Sequence, residues 1–173
     1  MRALHLLSLI LFFMFLFVQS GCGTANTPEP IPTDANSSDL AVYARFAPAK
    51  VDILPLTDFV DPGDELKPST INVFVSLLDF FGSAKKSPGV FRFELYEYVP
   101  RSSGHMGGRI ILWPDYDLTD PTVNNERWRD FLRAYEFDLD FEPTATQSYV
   151  LQVTCMSPHG RRLSTEVILQ YTK

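Results

Sequence analysis

Short runs of alternating apolar and polar residues recur from residue 51 to the end of the chain, with turn residues between them. The clearest run is Val90 to Val99. Successive side chains of an extended strand point to opposite sides, so Phe91, Phe93 and Leu95 would face one way and the residues between them the other. The same alternation would turn Glu97 inward, and we therefore expect the strand to leave the sheet or to bulge there. A period of two residues predicts a chain folded mainly from β-strands.

About seven segments share this pattern, at a spacing typical of an antiparallel β-sandwich. The candidate strands are Val51–Leu54, Ile71–Leu78, Val90–Val99, Arg109–Trp113, Tyr135–Phe141, Ser148–Met156 and Leu163–Tyr171. Turns rich in Pro, Gly and Asp separate them, as at 61–64 and 158–160. Because no β-α-β rhythm and no internal repeat is present, the sequence predicts one mainly β domain over residues 40–173.

One segment departs from the two-residue period. Asp120 followed by Pro121 is typical of a helix N-cap with proline at the first helical position. Apolar side chains then recur at helical spacing. They are Trp128, Phe131, Leu132 and Tyr135. The pattern predicts one short helix over about residues 122–133, packed against a sheet and placed before the last three strands.

The last three candidate strands lie in the sequence YEFDLDF…QSYVLQVTCMSPHGRRLSTEVILQ, which contains the form Tyr-x-Leu-x-Val and a later glycine. The residues of this form are Tyr149, Leu151, Val153 and Gly160. The form resembles the end of immunoglobulin-like and fibronectin-type-III-like domains. The resemblance implies an immunoglobulin-like antiparallel β-sandwich and no particular function. The antibody-type disulfide is absent because Cys155 has no second core cysteine, so we expect a free, buried thiol.

The chain begins with a segment of another kind. Arg2 precedes a run from Leu4 to Val18 that is almost wholly Leu, Ile, Phe, Met and Val. Its length matches the roughly 7–15 apolar residues of a secretory signal peptide and falls short of the ~20 that a membrane-spanning helix needs. Small residues follow it, up to Cys22. We therefore expect residues 1–21 to be a signal peptide.

The sequence SGC at residues 20–22 resembles the lipobox of bacterial lipoproteins, whose cysteine is acylated and becomes the first residue of the mature protein. By this resemblance Cys22 is the lipidation site. The family usually has leucine three positions before the cysteine, where this chain has Gln19. Two other outcomes stay open, namely cleavage after Ser20 by an ordinary signal peptidase and an uncleaved anchor. Several acyl chains would hold the protein durably, since each buried methylene contributes about 0.8 kcal/mol.

Residues 22–39 read CGTANTPEPIPTDANSSD, with Ile31 as the one large aliphatic residue. Such a composition cannot form a core, so we expect a flexible tether between the lipid and the folded domain. Lipoproteins retained at the inner membrane tend to have aspartate after the cysteine, and here that residue is Gly23. The resemblance therefore implies a lipid-anchored cell-envelope protein, at the outer membrane if the cell has one.

The charge of the chain limits its partners. The formal charge is −6, and it becomes −7 if Arg2 leaves with the signal peptide. An acidic chain argues against binding nucleic acid and against direct adhesion to anionic lipid. No cluster of neighbouring cations exceeds the pairs Lys85–Lys86 and Arg161–Arg162.

Catalytic and metal-binding motifs are scarce. After the signal peptide the histidines are His105 and His159, each in a glycine-containing loop, and no Gly-x-Ser-x-Gly element is present. No nucleophile–base pair and no zinc ligand set stands at the usual spacing. We therefore expect neither enzyme activity nor a cofactor.

Carboxylates are dense in two places. The first set consists of Asp115, Asp117, Asp120 and Glu126. These oxygen ligands suit calcium, but their spacing lacks the EF-hand pattern, and a polar loop with a helix cap accounts for them as well. The second set consists of Glu136, Asp138, Asp140 and Glu142. It alternates along one candidate strand, and we expect a solvated face there.

Arg92, Tyr96 and Tyr98 share the outward face of the strand that begins at Val90. Outward aromatic rings beside a charge can stack on a sugar or anchor a protein. We favour cross-strand packing beneath the predicted helix, because the apolar stripe at Trp128 needs a surface to cover. We expect a membrane-anchored, non-catalytic binding or structural module whose partners are the membrane, through Cys22, and an envelope protein or glycan. The alternatives are a carbohydrate-binding accessory domain that uses the tyrosine face, and an envelope hydrolase of unfamiliar type.

Overall fold

The structure is a computed structural model whose described residues form two antiparallel β-sheets that pack face to face beside one short helix. It describes residues 45–61, 63, 69–101, 104–143 and 147–172. The predicted signal peptide and tether, with Cys22, lie outside the described residues.

Eleven strands and one helix make up the described part of the chain. The strands are β1 (Lys50–Ile53), β2 (Asp58–Val60), β3 (Thr70–Leu78), β4 (Ala84–Lys85), β5 (Val90–Tyr98), β6 (Met106–Leu112), β7 (Tyr116–Asp117), β8 (Trp128–Arg129), β9 (Ala134–Asp140), β10 (Gln147–Met156) and β11 (Arg162–Tyr171). The helix, α1, spans Pro121–Arg127. Strands therefore dominate, as the alternation predicts.

The strand order is that of an immunoglobulin-type sandwich. One sheet has the order β1-β3-β9-β8, and β2 and β4 also pair with β3. The other has the order β11-β10-β5-β6, and β7 also pairs with β5. An immunoglobulin domain places its first, second, fifth and fourth strands in one sheet and its third, sixth and seventh in the other. The strands β1, β3, β9 and β8 opposite β5, β10 and β11 reproduce that arrangement, so the predicted β-sandwich is confirmed.

The predicted number of strands is too low. All seven predicted strands are present, as β1, β3, β5, β6, β9, β10 and β11. The other four, β2, β4, β7 and β8, are two or three residues long. A segment of that length cannot show a period of two residues, so the sequence pattern could not reveal it.

The core lies between the two sheets and contains the side chains that the alternation points inward. Fully or almost fully buried are Ile71, Val73, Val75 and Leu77 on β3, Phe91, Phe93 and Leu95 on β5, Phe137 and Leu139 on β9, and Tyr149, Leu151 and Val153 on β10. Aromatic rings join the sheets: the Phe137 ring centroid lies 4.8 Å from that of Phe93. Burial of this apolar surface is the main source of the stability of the sandwich.

The irregularity expected near Glu97 lies on the neighbouring strand. The register between β5 and β6 shifts between Leu95 and Tyr96 and again between Tyr96 and Tyr98, and the additional residues are on β6. β5 itself stays in regular register with β10 through Glu97, which is exposed. A side chain at Gly107 of β6 would be crowded, because a Cβ there would lie 2.7 Å from Val99 Cγ2.

The predicted helix exists, but the predicted helical stripe is wrong. Asp120 is the N-cap as expected, since its side chain accepts hydrogen bonds from the backbone N–H groups of Thr122 and Val123. The helix then ends at Arg127, well before residue 133. Trp128 is already extended and pairs across a hairpin with Tyr135, which faces the core. Of the other two residues, Leu132 is half-buried and Phe131 is 85% exposed in the turn.

Candidate functional site

The predicted binding face lies on the outside of β5, and its polar groups are already engaged. Arg92 and Asp115 form a bidentate ion pair, with Nε–Oδ1 at 2.9 Å and Nη2–Oδ2 at 2.8 Å. The hydrogen bond to Arg92 lowers the pKa of Asp115 below its ordinary value, and Asp115 in turn raises the pKa of Arg92. Arg92 is therefore held along the sheet surface by the segment after β6.

Tyr96 belongs to a second cluster on this face. The Tyr96 hydroxyl donates to Glu94 Oε1 at 3.1 Å, and Arg109 Nη1 donates to the same oxygen at 2.8 Å. Burial and the bond to Glu94 raise the pKa of Tyr96 above its ordinary value. The Tyr98 ring is stacked on His105, with centroids 5.5 Å apart. Cross-strand packing thus accounts for the contacts of both tyrosines.

The expectation that the helix covers this face is wrong. Helix α1 sits against β9 and the segment at Ser87, because the buried Asn124 amide donates to the carbonyl oxygens of Ser87 (3.1 Å) and Leu118 (2.9 Å). The Tyr135 hydroxyl lies 3.1 Å from Asn124 Oδ1. Side chains of the sheet itself, and not the helix, surround Tyr96 and Tyr98.

The acidic residues considered for calcium have separate tasks. Asp115 pairs with Arg92, Asp117 accepts from the Thr119 backbone and hydroxyl, and Asp120 caps α1. Hydrogen bonds from Thr119 lower the pKa of Asp117. Within the described residues, no group of three or more His, Cys, Asp or Glu side chains could hold a metal ion.

The acidic face of β9 is bridged by an amide. Asn72 Nδ2 donates to Glu136 Oε1 at 3.1 Å and to Asp138 Oδ1 at 2.8 Å, and Arg129 pairs with Glu136. Burial would raise the pKa of Glu136, but the bonds from Asn72 and Arg129 lower it. Asp138 and Asp140 are exposed, as expected for a solvated face.

A different surface, at one end of the sandwich, is the candidate site. The ends of several strands meet there, since Leu78 at the end of β3 is paired with Lys50 of β1 and Ala84 of β4. The turn before β9 is at the same end, because Ser76 Oγ donates to the carbonyl oxygen of Arg133. We call this surface the aromatic–basic end. Its residues are Phe46, Phe80, Phe81, Phe131, Lys85, Lys86, Arg133, His159 and Arg161.

The turn between β3 and β4 presents two phenylalanines to solvent. Phe80 is 76% exposed and Phe81 is 64% exposed. Asp79, which starts the turn, is buried, and its Oδ1 accepts from the backbone N–H groups of Phe81 and Ser83, both at 2.9 Å. Lys85 Nζ lies 3.3 Å from its Oδ2. A buried carboxylate therefore fixes the conformation of the aromatic tip.

This geometry makes the turn sensitive to acid. Burial would raise the pKa of Asp79, but the hydrogen bonds from Ser83, Lys85 and Phe81 outweigh it and hold this pKa below its ordinary value. Such a carboxyl contributes stability that is complete above the unfolded pKa, about 4, and is lost as the pH falls through the folded pKa. The free energy of unfolding should therefore fall more steeply below about pH 4 in the wild type than in Asp79→Asn, which keeps the acceptor oxygen without the charge.

Denaturant titrations across the acid range measure this difference. Glu126→Gln, at an exposed position of α1, is the matched control for removing one carboxylate charge from the surface. Equal acid slopes for the wild type and Asp79→Asn would contradict the assignment of the charge at Asp79.

Within the described residues, exposed phenylalanine is confined to this end. The exposed phenylalanines are Phe46, Phe80, Phe81 and Phe131. Phe81 lies 5.5 Å from Phe80 and 6.2 Å from Phe46, measured between ring centroids. Lys85 Nζ is 5.4 Å from the centroid of the Phe46 ring, within cation–π range. The exposed large hydrophobic residues elsewhere in the described part are aliphatic.

Cationic side chains and a groove complete the surface. An open groove of about 580 Å³ lies between Phe46 and the turn joining β10 to β11. The apolar side chains that line it include Phe46, Pro48, Pro88 and Pro158. The polar ones include Lys85, Lys86, His159 and Arg161. Arg133 adds a further cation, and its Nη2 lies 3.4 Å from the Ala84 carbonyl oxygen.

This site was not predicted from the sequence. The pairs Lys85–Lys86 and Arg161–Arg162 are far apart along the chain, and the fold brings Lys85, Lys86 and Arg161 to one groove. A local signal was present in the sequence DFFGS, since a short glycine-containing turn seldom carries two large apolar side chains. That signal alone could have marked the tip.

Comparison with protein-family models, curated proteins and solved structures found no match to this chain. None of the described helical residues forms a segment long and apolar enough to cross a bilayer. The arguments for function therefore come from the sequence pattern and from the geometry of the sandwich.

Proposed function

We propose that this chain is a membrane-anchored envelope lipoprotein whose β-sandwich acts as a non-catalytic binding or structural module. The anchor would be lipid on Cys22, and the segment after it would be the tether. The folded part supports the proposal through the position at which the chain enters it. The described chain enters the sandwich at Arg45 and Phe46, directly beside the exposed rings and cations of the aromatic–basic end.

The geometry favours this function over the two alternatives. Tyr96 and Tyr98, the rings considered for sugar stacking, are half-buried and occupied by Glu94 and His105. The two histidines considered for hydrolysis lie apart, His105 in the turn between β5 and β6 and His159 in the turn between β10 and β11. An open surface of rings and cations is a better basis for binding than for catalysis.

Replacing the proposed lipidated cysteine tests the anchor. Cells grown with labelled palmitate should label the wild-type protein, and Cys22→Ala should be unlabelled and released from the membrane fraction, because the only proposed acceptor of the acyl chains is gone. Cys155→Ala is the matched control and should keep the label. Label persisting on Cys22→Ala would refute the site, and a mature wild-type chain that starts at Gly21 without lipid would refute the anchor.

A further inference from the structure

We propose that the aromatic–basic end docks on the surface of an anionic lipid bilayer, with the side chains of Phe80 and Phe81 entering the headgroup region. The proposal rests on the proposed function in that the anchor brings a membrane close to the domain. The docking surface itself consists of described residues.

The exposed rings of Phe80 and Phe81 are suited to entering a bilayer interface. Phe80 and Phe81 are adjacent in sequence, project from the same turn and remain largely exposed. Exposed apolar rings lose favourable burial energy in water and regain it in the interface of a bilayer. The hydrogen bonds from Phe81 and Ser83 to the buried Asp79 hold the turn in one conformation. Little conformational entropy is therefore lost when the tip enters a membrane.

The exposed phenylalanine rings of the described residues lie together at this end. Phe46 packs near Phe81, and Phe131 projects from the turn that leads through Arg133 into β9, at the same end. Single exposed aliphatic residues are ordinary on a soluble domain, whereas clustered exposed rings indicate an interaction surface. Their position at the tips of turns suits a flat partner, which a bilayer is.

The charge of this end is complementary to an anionic surface. Lys86 and Arg161 line the groove beside the rings, and Lys85 there offsets the buried carboxylate of Asp79. In the turn that carries Phe131, the exposed Asp130 is balanced by Arg133. Cations beside apolar side chains are the composition that binds anionic headgroups.

The acidic net charge of the chain does not oppose this docking. A surface charge acts over about 10 Å at moderate salt, so the local distribution decides. The exposed acids Asp138 and Asp140 lie toward the opposite end of the sandwich, since they pair with Asn72 and Thr70 at the start of β3. The proposal therefore departs from the expectation drawn from net charge alone, that the chain avoids anionic lipid.

If lipid is attached at Cys22, the chain that leads from it into the sandwich arrives at Arg45 and Phe46. Phe46 belongs to the aromatic–basic end, since its ring lies 6.2 Å from that of Phe81. A bilayer that holds the lipid would therefore be joined to the domain at this end.

Vesicle binding tests the docking without the lipid. The chain from residue 22 carrying Cys22→Ala is mixed with vesicles of phosphatidylcholine alone or of phosphatidylcholine with phosphatidylglycerol. Binding should be about tenfold stronger to the anionic vesicles and should weaken with salt. The double variant Phe80→Ser/Phe81→Ser should bind about tenfold less.

Two further variants separate docking from misfolding. Lys86→Gln/Arg161→Gln should lower binding to anionic vesicles about tenfold, leave binding to phosphatidylcholine unchanged and reduce the salt dependence. Val60→Ser removes an exposed apolar side chain at the opposite end, where Val60 pairs with Thr70, and should bind as the parent does. Circular dichroism should give one spectrum for all of them. Parental binding by the phenylalanine variant, or equal binding to both vesicle types, would overturn the proposal.

The outcome for docking is distinguishable from the outcome for the anchor. Loss of the palmitate site with vesicle binding retained would refute the anchor and support docking, whereas labelled protein without vesicle binding would refute docking alone. A photocrosslinking residue in place of Phe81 in the anchored protein adds a direct measurement. Adducts with lipid would support the proposal, and adducts with protein alone would overturn it in favour of a protein partner.

Discussion

Replacing Phe137 with alanine is expected to lower the free energy of unfolding by about 3–5 kcal/mol. Phe137 is fully buried on β9 and bridges the two sheets. Its ring centroid lies 4.8 Å from that of Phe93, 5.3 Å from Phe91 and 5.2 Å from Tyr116. Removing the ring would leave a cavity that these neighbours, held by their own strands, could fill only in part.

Phe131→Ala makes the same substitution in solvent and serves as the control. Phe131 is 85% exposed, so the expected change in the free energy of unfolding is within about 0.5 kcal/mol. Denaturant titrations of both variants, with equal dependence on denaturant concentration, provide the comparison. A large loss in Phe131→Ala would favour the buried helical stripe predicted from the sequence and would contradict the turn.

That stripe failed for a physical reason. Trp128 and Tyr135 are seven residues apart, which is two turns of a helix but also the span of two residues that face each other across a short hairpin. In the structure their rings are 5.0 Å apart across the hairpin of β8 and β9. The spacing fits both arrangements, and packing of Tyr135 against Phe91 in the core selects the hairpin. Tertiary contacts therefore decided what the local period could not.

The long strands were predictable because each runs long enough to show its alternation. On β9, Phe137 and Leu139 are buried, while Asp138 and Asp140 are exposed. The facing of each strand follows from such a pattern. The contact partners of side chains on the outer face could not be predicted from the alternation. Arg92 was placed outward correctly, but only the fold brings Asp115 to it.

The candidate site was still harder to predict, because its residues come from separate parts of the sequence. Lys86 and Arg161 are far apart in sequence and meet at one groove only because the turns after β4 and β10 lie at one end of the sandwich. A net charge counts such residues without locating them, and so it suggested that the chain avoids anionic surfaces. The local signal, Phe80 and Phe81 in a turn, survives because it needs no tertiary information.

The thiol of Cys155 is expected to react with a maleimide at least about a thousandfold more slowly in the native protein than in denaturant. Cys155 is 3% exposed, on the inward face of β10, and has no disulfide partner among the described residues. Burial raises the pKa of this thiol from 9.0 to about 12, so the reactive thiolate is scarce as well as shielded. The chain carrying Cys22→Ala isolates this one thiol for the measurement.

Ser164→Cys in the same background is the control. Ser164 is exposed and lies beside Thr154 on the outer face of the sheet. The thiol introduced there should react quickly in the native protein. If Cys155 reacted as fast, the inward facing of β10 would be wrong.

The residual reaction of Cys155 should follow the stability of the whole sandwich. β10 is paired along both edges, to β5 and to β11, so exposing its inner face requires both ladders to open. An opening of that extent approaches global unfolding rather than fraying. Phe137 lies in the opposite sheet. Phe137→Ala should therefore accelerate native labelling of Cys155 by roughly a hundredfold or more, because each 1.36 kcal/mol of lost unfolding free energy raises the open fraction about tenfold. An unchanged labelling rate in that variant would mean that β10 opens locally, independently of the packing between the sheets.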